Sequence, residues 1–333
     1  MAYATTAALA SEATARKAAD ASEAAARATA DAQEATARAV ADAALSARLS
    51  ALESWRSSIT ESRKVVPVSG IPALLAAIAD DTVDAIVIED GTYAVHAASA
   101  SDPQSLWIGH AYAGRTRPLS IDPRTPGGVV LDGGGAVGWE GVVLQEVHDL
   151  SWGPMRLANA TVVQGGAVVL GQSGSFVPLG VRNVALRGWT VEETVKSGSP
   201  LAQLGDHAVY VSSSSTPGTG ISLDGWTVLS PGPDGLDSAL HVYVQPALGV
   251  GPQGLSVTGW RVVGTDQALV FWDPSSSAVV SGTTVTGARR FAVRYEGGQV
   301  SLVDVASTGS GVRGLFTDLA STPGLSLSGC SLD

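Results

Sequence analysis

A strand pattern that recurs through most of this chain constrains its fold more than any other feature. Each copy combines an alternating apolar strand, a glycine or proline and a bulky residue, as in RNVALRGWTV. The clearest copies lie at 148–157, 182–191, 219–228 and 253–262. The bulky column runs through Met155, Trp189, Trp226 and Trp260 and, in weaker copies, through Thr283, Val305 and Cys330. A strand that repeats every ~20–40 residues predicts a solenoid.

A second recurring strand follows the first in each repeat. It reads DHAVYVSS in one copy and SALHVYVQ in the next, and its copies lie at 206–213, 238–245, 267–274, 290–297 and 313–320. Turn residues separate these strands, and helical periodicity is absent from this part of the sequence. Two strands per repeat at this spacing predict parallel strands stacked coil upon coil. We therefore expect residues 85–333 to form an all-β, right-handed parallel β-helix.

The composition fits thin, repeated coils better than two or three ordinary domains. Of 333 residues, 45% are hydrophobic, only 5% are aromatic and 39 are glycine. The single cysteine, Cys330, excludes an intrachain disulfide and has no metal-ligand spacing around it. We expect no metal and no cofactor.

The sequence lacks the features of a membrane or secreted protein. No stretch reaches the roughly 18 apolar residues of a membrane span, so membrane insertion is not expected. The N-terminus has no basic leader before an apolar run, which makes it a poor secretory signal. If the protein acts outside a cell, we expect it to leave by lysis or as part of a particle.

Residues 1–64 differ from the rest and predict a long alanine-rich helix. Positions 12–44 hold three copies of an eleven-residue unit, in which an Arg follows a Glu by four residues and an Asp follows four residues later. Eleven residues are close to three helical turns, so the charges lie along one stripe. The nine charged residues are Glu12, Arg16, Asp20, Glu23, Arg27, Asp31, Glu34, Arg38 and Asp42.

The end of this helix predicts self-association. From Leu45 the apolar spacing changes to steps of 4, 3, 4 and 3 residues, which is a short heptad seam. Its apolar members, the expected oligomerisation residues, are Leu45, Leu49, Leu52 and Ile59. We expect an α-helical coiled-coil stem, a parallel three-helix bundle. The alternative is a single solvated helix, which an alanine-rich segment also forms by propensity alone.

Residues 65–84 read as a linker and a short capping helix. Pro72 suits a first helical turn, and Leu74, Leu75 and Ile78 form one apolar face. The end of a solenoid exposes apolar side chains and unpaired strand backbone. We expect this helix to cover that end.

The net charge of −11 belongs to the β-helix region. Residues 1–64 contain eight acidic and eight basic side chains, so their charges cancel. A strongly acidic surface argues against nucleic acid as the main partner. It also disfavours binding of polyanionic glycans through a broad basic groove.

The run IPALLAAIADDTVDAIVIEDGTY resembles the entry of pectate-lyase-like β-helix proteins, in which a capping helix precedes a first strand and a Gly-Thr-Tyr turn. RNVALRGWTV and DHAVYVSS resemble the coil repeats of that family, and the resemblance covers most of residues 68–333. An alanine-rich helical stem joined to such a β-helix is similar to tail fibre, tailspike and minor tail proteins of bacteriophages. That second resemblance implies a homotrimer.

The sequence contains no clear catalytic constellation, so we expect a protein without enzymatic activity. Enzymes of the resembled fold use paired carboxylates, or a basic residue with calcium-binding acids, on neighbouring strands. Asp206, Asp237 and Asp266 each precede or open a second strand, and repeated turn capping explains them better than acid/base work. His207 and His241 are one register apart, which suits surface or stacking residues more than metal ligands.

Alternation divides the second strand into two faces. The inward set is uniformly apolar and comprises Val209, Val211, Leu240, Val242, Leu269 and Phe271. The expected outward set comprises Ala208, Tyr210, Ser212, Ala239, His241, Tyr243, Ala268, Val270, Trp272, Phe291, Val293, Tyr295, Gly314, Phe316 and Asp318. An outward face this apolar should be covered by a partner.

Two partners fit that face. Side-by-side packing of β-helices in a trimer would bury it, or sugar rings would stack on its aromatic residues. A one-residue register slip, which turns the set inward, is the remaining alternative. The candidate residues, for a glycan or for the trimer interface, are Tyr210, His241, Tyr243, Trp272, Asp273, Tyr295 and Glu296.

The column of tryptophans is expected to point into the solenoid. Leu186 and Trp189 are three residues apart and fall on opposite faces of a regular strand, unless Gly188 bends the chain between them. We predict this bend in each repeat, with the indoles stacked in the core. The alternative is an exposed aromatic ladder that binds sugars.

Together these features predict a trimeric phage tail fibre or tailspike protein, located on the virion. The stem would attach to other tail or baseplate proteins, and the β-helix would contact a host surface polysaccharide. One alternative is a polysaccharide-degrading tailspike, a lyase or glycoside hydrolase. Another is a purely architectural baseplate subunit.

Overall fold

The structure is a computed structural model that divides into two compact units, residues 1–63 and 64–333. It describes residues 11–17, 20, 22–24, 27, 64–95, 106–134, 137–138, 141–159, 161–162, 165–171, 180–192, 195–196, 206–212, 216–230, 235–243, 249–272, 274–317 and 324–333.

The described part of the first unit is helical, at residues 11–17, 20, 22–24 and 27. In the first two copies, exposed ion pairs join Arg16 to Glu12 and Arg27 to Glu23, each at 2.5 Å. They confirm that the Glu and the Arg four residues later lie on the same side of the helix. Each such pair stabilises a helix by only about 0.2–0.5 kcal/mol. The third copy and the expected oligomerisation residues lie outside the described residues. Those oligomerisation residues are Leu45, Leu49, Leu52 and Ile59.

The second unit consists of parallel strands stacked coil upon coil, the arrangement of a β-helix. Sheet A runs through β1 (Val65–Val68), β2 (Ala85–Ile88), β5 (Leu119–Pro123), β9 (His148–Trp152), β13 (Arg182–Arg187), β17 (Thr219–Asp224), β20 (Leu255–Thr258), β23 (Ser277–Ser281), β26 (Gln299–Val303) and β29 (Leu325–Ser328). Sheet B runs through β3 (Gly91–Ala94), β6 (Val129–Asp132), β10 (Arg156–Ala158), β14 (Thr190–Glu192), β18 (Thr227–Leu229), β21 (Arg261–Val263), β24 (Thr284–Thr286) and β27 (Ala306–Thr308).

Two further sheets complete the coils. Sheet C runs through β4 (Leu106–Trp107), β8 (Val142–Leu144), β12 (Gly165–Leu170), β16 (Asp206–Ser212), β19 (Ser238–Tyr243), β22 (Gln267–Trp272), β25 (Phe291–Tyr295) and β28 (Arg313–Thr317). The short sheet D contains β7 (Val137–Gly138), β11 (Thr161–Val162) and β15 (Val195–Lys196). In the described residues, no helix is both long and apolar enough to cross a membrane.

Helix α1 (Ile71–Ala79) forms where the sequence predicts a capping helix. Pro72 lies in its first turn, and Leu74 and Ile78 are buried in the core of the solenoid. The preceding segment is not a linker, because Val65–Val68 pairs in parallel with β2 as the first strand of sheet A. A second short helix is α2 (Ile108–Tyr112).

A buried arginine fastens α1 to the coils. Arg115, which follows α2, donates hydrogen bonds to the backbone carbonyls of Ile78, Asp80, Val83 and Arg117. These acceptors include the last turn of α1 and the loop after it. Because hydrogen bonds from a charged donor are stronger than neutral ones, Arg115 holds the cap against the first coils.

The tryptophan column lies inside the solenoid, as the sequence predicts. Its buried members are Met155, Trp189, Trp226, Trp260, Thr283 and Val305. The ring of Trp226 is stacked on its neighbours in the adjacent coils, with centroid distances of 5.4 and 5.3 Å. Its indole N–H donates to the carbonyl of Leu186 at 3.1 Å, so the polar edge of the ring is satisfied within the core.

The predicted bend is present at the glycines before the tryptophans. Gly188, Gly225 and Gly259 have φ angles of 68°, 65° and 64°. Each bend lets both Leu186 and Trp189, or their equivalents, point inward, and it divides the predicted strand into separate strands of sheets A and B. A full coil therefore contributes three strands, one each to sheets A, B and C. The expected number of two strands per repeat was wrong.

Candidate functional site

The inner face of sheet C is apolar, as predicted. The buried inward residues are Val209, Val211, Leu240, Val242, Leu269 and Phe271. They belong to one continuous hydrophobic cluster with the tryptophan column. This core holds the backbone of sheet C in place and so positions whatever its outer face carries.

In the part of the chain that the structure describes, the outer face of sheet C exposes less apolar surface than expected. Ala208, Ala239, Ala268 and Val270 are buried within the single chain. The exposed large hydrophobic residue of this face is Trp272, with 44% of its surface accessible. The apolar surface that a partner would hide on this face is therefore limited to its partly exposed aromatic residues.

One predicted binding residue, Tyr295, points the wrong way. It pairs with the inward Phe271, is buried, and its hydroxyl donates to the carbonyl of Gly298 at 2.9 Å. The residue opposite Val270 is Arg294. The expected assignment of β25 was thus wrong by one residue. Alternation in this strand places Phe291, Val293 and Tyr295 on one face and the charged Arg294 and Glu296 on the other, so the charged face is the outward one.

A column of alanines marks the correct register and was overlooked. The buried alanines at corresponding positions of successive strands are Ala208, the third residue of β16, and Ala239, Ala268 and Ala292, the second residues of β19, β22 and β25. Alignment on these alanines places Arg294 in the position of His241 and Glu296 in the position of Trp272. The sequence therefore contained the signal that identifies Arg294 as an outward residue.

We define the sheet C strip as the outward residues Tyr210, His241, Tyr243, Trp272, Arg294 and Glu296. Trp272 lies at its centre, between two neighbouring coils. The guanidinium carbon of Arg294 lies 5.2 Å from the centre of the indole, and the His241 ring is nearly parallel to it at 6.3 Å. Because β25 and β19 flank β22 on opposite sides, both faces of the indole are covered and its edge is exposed.

The tyrosines of the strip are held in the same way. Tyr210 stacks on His207 at a centroid distance of 5.4 Å and faces Tyr243 at 6.4 Å. Tyr243 meets Trp272 edge to face at 5.4 Å. The aromatic faces thus pack coil against coil, and the strip presents ring edges to its surroundings.

A diagonal contact repeats along the outer face of sheet C. His207 in β16 contacts His241 in the neighbouring strand β19. In the same way, Gln267 in β22 accepts a hydrogen bond from Arg294 in the neighbouring strand β25. One coil further, the rings of Phe291 and Phe316 are stacked at 4.6 Å. In each pair, the residue directly before the alanine of one strand meets a residue of the next strand that lies two positions after its alanine, or after Gly314 in β28.

That diagonal requires an irregular strand. His207 and Tyr210 are three residues apart and would lie on opposite faces of a regular strand, yet their rings stack. The paired register passes over Ala208 and Ala239, the residues between the two positions. A local irregularity at the alanine column therefore turns the residue before the alanine, such as His207, towards the outer face. Alternation in the sequence does not reveal this irregularity.

A hydrogen-bonded chain lies beneath the strip. Ser238 Oγ is 2.6 Å from His207 Nδ1, and His207 Nε2 is 2.6 Å from His241 Nδ1. All three residues are buried, and His241 Nε2 has no hydrogen-bond partner in the chain. Buried polar atoms without a hydrogen-bond partner cost free energy. The donors and acceptors in these two hydrogen bonds are therefore assigned so that the fewest polar atoms stay unpaired.

If the Ser238 hydroxyl donates to His207 Nδ1, then His207 Nε2–H donates to His241 Nδ1. Of the polar hydrogens on these three side chains, only the one on His241 Nε2 then lacks an acceptor. If the direction is reversed, the Ser238 hydrogen and the His241 Nε2 lone pair are both unused. Donation from Ser238 to His207 leaves one unpaired polar group, and the reverse leaves two. His241 therefore carries its hydrogen on Nε2. Burial, with the charge of Arg294, lowers the pKa of His241 to about 3 and keeps the ring neutral.

Arg294 and Glu296 form an ion pair at one end of the strip. Arg294 donates to one carboxylate oxygen of Glu296 through Nε and Nη2, and its Nη1 lies 3.4 Å from Gln267 Oε1. The two side chains are 23% and 12% accessible. The backbone N–H of Glu296 donates to the carbonyl of Phe271, which fixes the residue against β22.

The remaining candidates lie elsewhere. Asp273 and the side chain of Asp206 are outside the described residues. Asp266 forms an ion pair with Arg290 and lies 3.8 Å from Arg289, so its carboxylate neutralises basic residues at a turn. Among the described residues, no group of three or more His, Cys, Asp or Glu side chains is arranged to hold a metal ion.

No family model and no curated protein matches this sequence. Among solved structures, the chain is similar to a pectate lyase from Bacillus sp. N165 in complex with trigalacturonate, with 12% identity over 81% of this chain and 82% of that chain and a TM-score of 0.42. It is also similar to an alginate lyase from Paenibacillus sp. str. FPU-7, with 11% identity over 80% and 99% of the two chains and a TM-score of 0.35.

A third similar structure is the surface protein and adhesin PfbA of Streptococcus pneumoniae, with 7% identity over 78% of this chain and 83% of that chain and a TM-score of 0.34. These structural neighbours are thus polysaccharide-degrading enzymes and an adhesin. At these identities the likeness concerns the fold and carries no argument about activity.

Proposed function

We propose that this protein binds a polysaccharide along the sheet C strip and does so as the host-contacting part of a phage tail fibre or tailspike. The observation that carries the binding proposal is Trp272, a large aromatic residue that is 44% exposed and yet clamped between Arg294 and His241. An exposed indole held in place by its neighbours loses little conformational freedom when a ligand binds.

The chemistry of the strip suits a ligand rich in hydroxyl groups. Tyr210 and Tyr243 combine an apolar ring with a hydroxyl that both donates and accepts hydrogen bonds, and they lie partly exposed. Glu296 adds a carboxylate oxygen that accepts hydrogen bonds. Because the ring faces are packed between coils, the ligand contacts ring edges and polar groups instead of stacking on open aromatic faces.

The length of the strip fits a chain-like ligand better than a single sugar. It extends over β16, β19, β22 and β25, four neighbouring strands of one sheet. Strands in a sheet are ~4.8 Å apart, so these four span about 14 Å. That distance accommodates several linked sugar rings.

The tail-fibre part of the proposal rests on the combination of the two units. A segment with an eleven-residue Glu-Arg-Asp repeat joins a β-helix, and the seam from Leu45 to Ile59 has the spacing of a short coiled coil. In this proposal three chains associate through the stem, which also attaches them to other tail or baseplate proteins of the virion. Sheet C then remains free to contact the host surface.

The experiment removes the aromatic edges of the strip and compares them with an equally exposed site on another sheet. The test protein is the double variant Tyr243→Ala, Trp272→Ala, and the matched control is Val279→Ala on sheet A, where Val279 is 46% exposed. Binding to a panel of purified bacterial surface polysaccharides is measured by surface plasmon resonance. We expect at least tenfold weaker binding for the double variant and unchanged binding for the control.

Native mass spectrometry of the same samples reports on assembly. A double variant that keeps both its mass and its binding would contradict the glycan site. Loss of oligomeric mass by the double variant would instead make sheet C an interface between copies.

A further inference from the structure

We infer that the strip selects uncharged glycans and that Glu296 enforces this selection by occupying Arg294. This inference rests on the proposed glycan-binding function and specifies its ligand class. The alternative ligand class is a glycan of uronic acids, for which an outward arginine is the expected binding residue.

The geometry leaves Arg294 without a free face for a carboxylate. Two of its nitrogens donate to Glu296 and the third faces Gln267. Its guanidinium carbon also lies over the rings of Trp272 and Phe316, 5.2 and 5.8 Å from their centres. A bidentate bond to a sugar carboxylate would therefore have to displace Glu296.

Displacement of Glu296 is unfavourable for two reasons. The side chains of Glu296 and Arg294 are 12% and 23% accessible, so separating them leaves a largely buried carboxylate without its counter-charge. A sugar carboxylate that approaches Arg294 also approaches the negative charge of Glu296. Like charges in contact disfavour binding, which is how an interface rejects a wrong partner.

An uncharged sugar meets no such obstacle. Only one carboxylate oxygen of Glu296 is engaged by Arg294, and the other remains an acceptor for a sugar hydroxyl. The charges of Arg294 and Glu296 cancel, the tyrosines carry hydroxyl groups, and the low pKa of His241 keeps its ring neutral. The strip as a whole is therefore polar but has no net charge.

The test uses pairs of oligosaccharides that differ only at C6, where the neutral member has a hydroxymethyl group and the acidic member a carboxylate. Glucan and glucuronan, galactan and galacturonan, and mannan and mannuronan fragments of equal length are immobilised on an array. The proteins are the full chain, Glu296→Gln, Arg294→Gln and the control Asp224→Asn, which removes one exposed carboxylate from sheet A. Unfolding midpoints confirm that each variant is folded.

We expect the full chain to bind neutral members in preference to their acidic partners. Glu296→Gln should raise the acidic-to-neutral binding ratio by about tenfold or more, the size of one charge-assisted hydrogen bond gained. Arg294→Gln leaves the Glu296 charge uncompensated and should lower the ratio, and Asp224→Asn should leave it unchanged.

Preference of the full chain for acidic members, or a ratio unaffected by both strip variants, would overturn the inference while leaving glycan binding intact. Absence of binding to every member, together with no binding to the surface polysaccharides, would overturn the proposed function itself.

Discussion

The guanidinium group of Arg294 covers one face of Trp272, and His241 covers the other. This arrangement links three neighbouring strands of sheet C through side chains on their outer face. It holds an exposed indole in one orientation without contribution from the core. The same residues therefore link neighbouring coils and present a polar, aromatic edge on the surface of sheet C.

The indole stack in the core should be a major source of stability. Trp226→Ala removes a buried ring that is packed between two others, and we expect the free energy of unfolding to fall by about 3–5 kcal/mol. Trp272→Ala is the control, because its ring is partly exposed and its loss leaves no cavity in the core. Chemical denaturation of both variants measures the difference, and equal effects would contradict the structural role of the stack.

The bend before each tryptophan should tolerate residues that adopt left-handed backbone conformations. An added Cβ at Gly225 would be 3.9 Å from its nearest neighbours, so the obstacle to substitution is the φ of 65° and not space. Asp304 occupies the equivalent position three coils on, with a φ of 52°. We expect Gly225→Asn to destabilise the protein less than Gly225→Ala, and Gly225→Val to destabilise it most.

Thermal unfolding of the three Gly225 variants ranks them. A Gly225→Ala variant as stable as the unsubstituted protein would show that the positive φ is not needed.

The buried His241 should make stability depend on pH. Burial lowers its pKa to about 3 in the folded chain, whereas an unfolded histidine has a pKa of about 6.5, so unfolding takes up a proton between these values. The stabilisation is complete above pH 6.5 and declines as the pH falls towards 3, by at most about 1.4 kcal/mol per pH unit. Carboxyl groups with lowered pKa values, such as those of Asp149 and Glu89, also make the stability depend on pH in the acidic range.

A difference measurement isolates the histidine. His241→Gln should have a smaller slope between pH 4 and 6 than the unsubstituted protein, and the exposed His110→Gln should keep the full slope. Urea denaturation at a series of pH values provides both curves. Parallel curves for His241→Gln and the unsubstituted protein would show that His241 titrates normally.

The stem should determine the oligomeric state. Replacement of Leu49 and Leu52 by Asp places charges in the predicted heptad seam, and we expect the proposed trimer to be replaced by monomers in sedimentation experiments. Arg48→Ala, a neighbouring change outside the seam, is the control. If the double Asp variant remains trimeric, assembly depends on the β-helix and not on the stem.

Sequence patterns predicted the solenoid and its core because both depend on local repetition. The Trp column, the bend at Gly188 and the capping helix with Pro72 all follow from residue type and spacing. Three strands per coil were not predicted, because the bend separates two strands that are continuous in sequence. Strand β1 was also missed, since its four residues pair only with a strand twenty residues later.

The candidate site was predicted less well, for a physical reason. The orientations of Tyr210, His241, Tyr243 and Trp272 follow from alternation within strands whose inner residues are unambiguous. Tyr295 was assigned to the wrong face, although the charged residues that alternate with it, Arg294 and Glu296, mark the outward face of β25. The contact between His207 and His241 depends on an irregularity at the alanine column, which alternation in a sequence cannot express.

The most direct test of the central claim is hydroxyl-radical footprinting with and without a bound surface polysaccharide. Mass spectrometry reports the oxidation of Trp272, Tyr243 and Tyr210 on sheet C, with the exposed Val279 and Leu327 of sheet A as internal references. We predict that the polysaccharide protects the three sheet C residues and leaves the two references unchanged. Protection of Val279 and Leu327 with full oxidation of Trp272 would contradict the account and move the binding surface to sheet A.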